Sequence, residues 1–180
     1  MARFLLRDAR LAFPNIWTPY KDSFGARLII PPTHKQIPEL KKVMKDAAKE
    51  KWQGKGDAIY KALEASDKLC LHDGNTKAEY EGFEGNLFVA ANSKVRPSVW
   101  DQQRNELTQA DGKPYSGCYV NASLEIWCQD NKDYGKRINA QLRGIQFLRD
   151  GDAFAGGGQP ADADEFEEIG VDGEEEDLTA

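Results

Sequence analysis

SGCYVNASLEIWC, residues 116–128, repeats every two residues, the period of a β-strand and not the 3.6 of a helix. Val120, Ala122, Leu124, Ile126 and Cys128 fall on one face and are all apolar. Tyr119, Asn121, Ser123, Glu125 and Trp127 fall on the other. A strand facing water normally carries charged and short polar side chains on that side. This one places a tyrosine and a tryptophan among them, which predicts a surface that touches something flat. The competing reading is that a second element covers both rings.

The strand needs a partner, and RINAQLRGIQFL at 137–148 fits. Ile138, Ala140 and Leu142 alternate inward, the phase flips at Arg143-Gly144, and Ile145 and Phe147 then take the core face. A phase flip at a glycine is the mark of a β-bulge, which bends a strand round a barrel. Residues 2–13 mix apolar and basic side chains on both faces, as a first strand with a bend or bulge would. Phe24 to Ile30 reads as a second strand with Phe24, Ala26, Leu28 and Ile30 inward, stopped by Pro31 and Pro32. LCLHDG and NLFVAAN read as further strand segments, the latter with Leu87, Val89 and Ala91 on one face. In SKVRPSVWD, residues 93–101, Val95, Pro97 and Val99 share one face, and Lys94, Arg96, Ser98 and Trp100 the other.

Between the second strand and LCLHDG lies a helical insertion over about 33–66. Pro38 to Lys51 carries Leu40, Val43, Met44 and Ala47 on one stripe. A shorter helix follows Gly54 and Gly56 through Ile59, Ala62 and Leu63. PNIWTPYKDSFG, residues 14–25, is read as a loop exposing Trp17, Tyr20 and Lys21, either as lids on a barrel end or as stacking platforms. Residues 102–116 form a polar loop turning at Asp111-Gly112.

Charge divides the chain at residue 150. Residues 1–150 hold 24 lysines and arginines against 19 acids, a net charge of +5, whereas 151–180 hold 11 acids and no base. The overall charge of −6 therefore averages a mildly basic body and a strongly acidic tail. The tail is glycine-rich and poor in apolar residues, so it is expected to be disordered. A chain of 180 residues suits one domain plus this appendage. Three cysteines and no apolar leader before them point to a reducing cytoplasm. No apolar run approaches the roughly 18 residues of a membrane span. With no CxxC or HxxxH pair, and only His34 and His72 to help the cysteines, no metal or other cofactor is expected.

SKVRPSVWD at 93–101, YSGCYVNASLEIW at 115–127 and QLRGIQFLRDGDAF at 141–154, with FGARLIIP at 24–31 and the acidic end, resemble a family of bacteriophage single-stranded DNA-binding proteins (SSBs) built on an OB fold. The resemblance covers about residues 20–155 and rests on the order and spacing of these pieces. It implies a mainly β protein, a five-stranded Greek-key barrel with a helical insertion, that binds single strands without sequence preference in phage replication or recombination. The expected DNA contacts are Trp17, Tyr20, Lys21, Lys94, Arg96, Trp100, Tyr119, Trp127, Lys136 and Arg143. They supply rings for bases and cations for phosphates. The tail is expected to compete with DNA for the basic groove and to recruit replication proteins such as a polymerase or helicase. Phe166, Glu174, Glu175, Glu176 and Asp177 are its candidate contacts. Tails in the wider group commonly finish on an aromatic residue; this chain finishes DLTA, and Phe166 stands as the internal substitute. Homo-oligomerisation is compatible with all of this.

Two rivals remain at this stage. A nuclease would use Asp101, Glu106 and Asp111 as metal carboxylates, but scattered acids in a polar loop are usually solvation, and no phosphate-cradling GxxxxGK[ST] loop occurs. No enzyme activity is expected. The other rival is an acidic-tailed interaction module or DNA mimic that does not itself bind DNA.

Overall fold

Among the described residues, nine α-helices and β-strands follow one another: β1 (Ala2–Tyr20), β2 (Ser23–Ile30), α1 (Ile37–Trp52), α2 (Gly56–Ala65), β3 (Leu71–Asp73), β4 (Leu87–Ser93), β5 (Ser98–Trp100), β6 (Tyr119–Asn131) and β7 (Gly135–Arg149). They are seen in a computed structural model that describes residues 2–154 and positions 166, 167 and 169. The antiparallel pairs β1–β2, β2–β4, β6–β7 and β1–β6 are closed into a ring by a short parallel pairing of β4 with β7, Ala91 opposite Ala140. Five strands thus form a barrel, the expected architecture. β3 extends β4 at one point, and β5 runs parallel to β7 at another.

Long strands close a small barrel only by bending, and the bends lie where the apolar phase breaks. In β1 the residues buried in the barrel core run Phe4, Leu6, then Ala9, Leu11, then Ile16, while buried Ala12 joins a separate cluster. The first break is the register shift between Leu6 and Ala9, where Asp8 has φ 57°. The second lies between Ala12 and Asn15, where Phe13 has φ 49°. β7 flips as its sequence predicts: Gly144 pairs with Ser123 and Leu142 with Leu124, leaving Arg143 bulged and exposed. Val120, Ala122, Leu124 and Ile126 of β6 are fully buried. Of these, Val120, Leu124 and Ile126 each contribute about 1.5–3 kcal/mol relative to exposure.

The helical insertion sits against the barrel through Leu40, Met44, Ala47 and Ala48 of α1 and Tyr60 and Leu63 of α2. Its leading turn is tied to β1 by Gln36, which accepts from the Arg7 amide (2.7 Å) and donates to the Leu5 carbonyl (2.8 Å). Its far end is tied to the β6–β7 hairpin, where the Trp52 indole donates to Asp130 (2.9 Å). That bond is the main reason the Asp130 carboxyl is held below the usual carboxylate range.

Four local expectations are corrected. Residues 14–20 are not a loop: β1 continues through them, and only Lys21 and Asp22 turn. Pro14 is tolerated there because it sits in the irregular stretch where the β1–β2 register shifts. Val95 is 70% exposed, because the chain bends at Lys94 and Val95 once the Ser93 hydroxyl accepts the Val95 amide (3.0 Å). Phe24, beside the turn of the β1–β2 hairpin, is only half-buried. Ala62 faces solvent, its place on α2's buried side taken by Tyr60.

Candidate nucleic-acid interface

On the outside of the barrel, the β1–β2 hairpin and the loop between β3 and β4 flank the face made by β2 and β4. A groove of about 700 Å3 runs between them. One wall is aromatic: Phe13, turned outward by its positive φ, meets Tyr80 edge-on with centroids 5.0 Å apart, and Phe83 lies 5.9 Å from Phe13. Phe13 and Tyr80 are 41% and 43% exposed, so large ring surfaces face the groove unburied. Tyr20, 58% exposed with the Lys21 ammonium 5.3 Å from its ring, lines it from the hairpin, and Lys77 from the loop.

The floor of this groove passes into a second cleft of about 350 Å3, and the two share Arg27 and Asn92. Beyond these the second cleft is lined by His72, Trp127, Arg137 and Asn139. His72 is stacked on Phe88 (5.1 Å) and its Nδ1 is 2.7 Å from Asp67. Asn139 donates to Gln129 (3.0 Å). Arg27 is the charge at the junction. Half-buried on β2, it has no carboxylate within ion-pair distance among the described residues, and its guanidinium bonds only to the Ala26 carbonyl (3.3 Å). Burial lowers its pKa from the ordinary arginine value. A desolvated cation without a counter-ion favours an anionic ligand.

A separate pocket of about 530 Å3 lies on the outer face of β5 and β7, lined by Trp100, Gln103, Arg104 and Gln146. Leu5, Asn121, Ser123 and Arg143 line a smaller hollow beside it. A chain of amides stiffens this surface: the Asp8 amide donates to Asn121, Asn121 to Gln146 and Gln146 to the Asp101 carbonyl. The loop behind it is held by the acids that could have been metal ligands. Asp101 accepts the Gln103 and Asn105 amides (2.9 and 2.8 Å), and Asp111 accepts the Thr108 amide and hydroxyl. The bonds from Asn105 lead in holding the Asp101 carboxyl below its usual range.

The residues singled out from sequence fall in three groups. Tyr20 and Trp127 line the continuous groove, and Lys21 stands at its rim on the hairpin turn. Trp100 and Arg143 line the second surface, while Lys94, donating to the Asp22 carbonyl (3.3 Å), and exposed Arg96 lie on the stretch of chain between the two. The others are engaged elsewhere. Trp17 is half-buried against the main core instead of exposed. Tyr119 has the Arg149 guanidinium 4.1 Å from its ring and Arg10 at 5.7 Å, so it is no open platform. Lys136 pairs with Asp130 (3.7 Å) on the β6–β7 hairpin. The clefts lined by Trp127 do not include Tyr119. Phe166 is 71% exposed, and Glu174, Glu175, Glu176 and Asp177 lie outside the described residues.

Sequence reasoning missed Arg27, Phe13, Tyr80, Phe88, His72 and Arg137. Arg27 alone had a legible signal, as the one charge in the strand FGARLII. The rest are assembled from segments far apart in the chain.

The chain as a whole resembles known proteins. The family profile described as "Enterobacter phage Enc34, ssDNA-binding protein" matches residues 2–179. Protein p50 of Acyrthosiphon pisum secondary endosymbiont phage 1 is 43% identical over 97% of each chain. Among solved structures, the single-stranded DNA-binding protein from bacteriophage Enc34 in complex with ssDNA superposes with a TM-score of 0.71 at 27% identity, covering 85% of this chain and 89% of that one. Gp2.5, the single-stranded DNA-binding protein encoded by bacteriophage T7, shares the fold at a TM-score of 0.60 and 15% identity, over 94% of this chain and 97% of its own.

Proposed function

The chain belongs to the family described as Enterobacter phage Enc34, ssDNA-binding protein, and from that premise we propose that it binds single-stranded DNA, without sequence preference, in the groove across β2 and β4. Bases stack on the Phe13–Tyr80 wall and on Trp127, while Arg27, Arg137, Lys77 and Lys21 neutralise phosphates. Stacking suits a binder that accepts any sequence because every base has a π face, and phosphates need only cations within reach. A longer strand leaves the groove over Lys94 and Arg96 and stacks a further base on Trp100, between Arg104 and Arg143. The observation that carries this reading is Arg27, a desolvated cation with no carboxylate partner among the described residues, at the junction of two aromatic-lined clefts. Amide-bearing Asn92 and Asn139 beside it offer donors and acceptors to any base edge.

The protein acts in phage DNA replication and recombination. Its acidic tail competes for the groove until DNA displaces it, then presents Phe166 and the run Glu174–Asp177 to a polymerase or helicase. Acids concentrated on a tether within reach of a basic body stay at high effective concentration around it. Titration of tryptophan emission with a homopolymeric single strand tests the reading. Quenching that saturates, and weakens linearly in log salt, is expected. No binding by the full chain or by a tail-less one would leave the interaction-module reading in its place.

A further inference from the structure

After β7 ends at Arg149, the composition of the chain changes, and Phe154 is the one aromatic or branched aliphatic residue between there and Phe166. The chain is nevertheless held to the barrel as far as Phe154. The Tyr115 hydroxyl donates to Asp150 (2.6 Å), Arg10 donates to the carbonyls of Asp152 (2.8 Å) and Gly117 (2.9 Å), and the Phe154 amide donates to the Ser116 carbonyl (3.1 Å). Phe154 is 6% exposed, with the Arg10 guanidinium 4.3 Å from its ring centroid. It packs with Ala12, Ile29, Phe83 and Phe88 in a small apolar cluster separate from the barrel core.

Two members of that cluster, Phe83 and Phe88, line the groove. The contact with the β3–β4 loop is direct: Gly82, at φ 91°, has so little room that a methyl there would stand 2.6 Å from Phe154 Cζ. The loop is folded on itself, Tyr80 donating to the Lys77 carbonyl (2.9 Å) and Phe83 to the Tyr80 carbonyl (3.4 Å), so the position of Phe83 carries Tyr80 with it. We propose that Phe154 is a positioning residue for the single-strand groove: with Arg10 on one side and Phe83 and Gly82 on another, it fixes the loop that presents Tyr80 and Lys77. The root of the acidic tail is then a working part of the groove, and the tail begins at residue 155. This inference rests on the groove being the DNA site.

A double-mutant cycle on the full chain tests it, read as affinity for a short oligo(dT). Tyr80→Ala should weaken binding, and Phe154→Ala should weaken it by roughly five- to tenfold, the scale of losing the pre-ordering of one or two side chains. The double variant should bind no worse than the weaker single, because Phe154 acts through Tyr80. Amide hydrogen exchange of Phe154→Ala should quicken in residues 74–86 and stay unchanged in β6 and β7. Normal affinity in Phe154→Ala, fully additive effects, or exchange quickened throughout the barrel would overturn the inference. If instead Tyr80→Ala, Arg27→Ala and Trp127→Ala all bind normally, the groove itself is misassigned and the inference falls with it. A chain ending at Phe154 should bind a short oligonucleotide at least as tightly as the full chain does, and a chain ending at Asp150 should bind it more weakly than the chain ending at Phe154.

Discussion

Arg27 stands in a strand whose other outward neighbours give it nothing to pair with. Keeping a guanidinium half-buried and unpaired costs stability unless a ligand repays it. Arg27→Ala should therefore weaken single-strand binding by about 1.5–3 kcal/mol, the range for hydrogen bonds to charged groups. If the guanidinium meets one phosphate, the slope of log affinity against log salt should become shallower by about 0.7. Unchanged affinity measured by fluorescence titration would remove Arg27 from the site. Trp127→Ala should cost roughly 1–3 kcal/mol of binding with the fold intact, as for loss of one stacked base. Trp17→Ala should lower the unfolding midpoint instead, since that ring packs on the core. This difference was hidden in the sequence: both tryptophans lie among polar residues, and only the continuation of β1 through Pro14 puts Trp17 against the core.

The strands carry the site because β2 and β4 approach closely where the groove crosses them. Gly25 pairs with Asn92 there, and a Cβ on Gly25 would stand 2.7 Å from the Ala91 carbonyl oxygen and 3.3 Å from the Asn92 Cα. Gly25→Ala should cost about 1–3 kcal/mol of stability through this clash. It should also weaken DNA binding beyond what that loss explains, because Asn92 and Arg27 move apart; chemical denaturation and titration of one sample check both. The loop after β5 gives a pH prediction. The Asp101 carboxyl is depressed by the amides it accepts, so it supports the loop above the ordinary aspartate value of about 3.9 and releases it as pH falls through the depressed one. The Gln103 and Asn105 amide resonances should shift in that acid range; resonances unmoved throughout it would contradict the role. At this scale much was legible. Alternation identified β6 and β7, and the phase flip at Gly144 located the bulge. The β3–β4 loop was opaque, because Tyr80 and Phe83 become a wall only when folded against Phe13, some 70 residues earlier, and against Phe154, some 70 later.

For the whole molecule, the charge boundary was readable from composition and the body's closure from strand period, but the place where the tail leaves the body was not. Composition puts it at 150, while Phe154 is buried. Deletion of residues 155–180, which spares the groove, should tighten single-strand binding, most visibly at low salt where the screening length is long. Equal affinity with and without the tail at low salt would refute competition. The central claim is that single strands lie across β2 and β4, and photo-cross-linking of a halouracil-substituted oligonucleotide, with the modified peptides mapped by mass spectrometry, tests it most directly. The account predicts adducts on Phe13 or Tyr20, on Tyr80 and on Trp127, with Trp100 joining only for longer strands. Adducts confined to Trp100 or to the helical insertion, with none in the groove at any length, would contradict it.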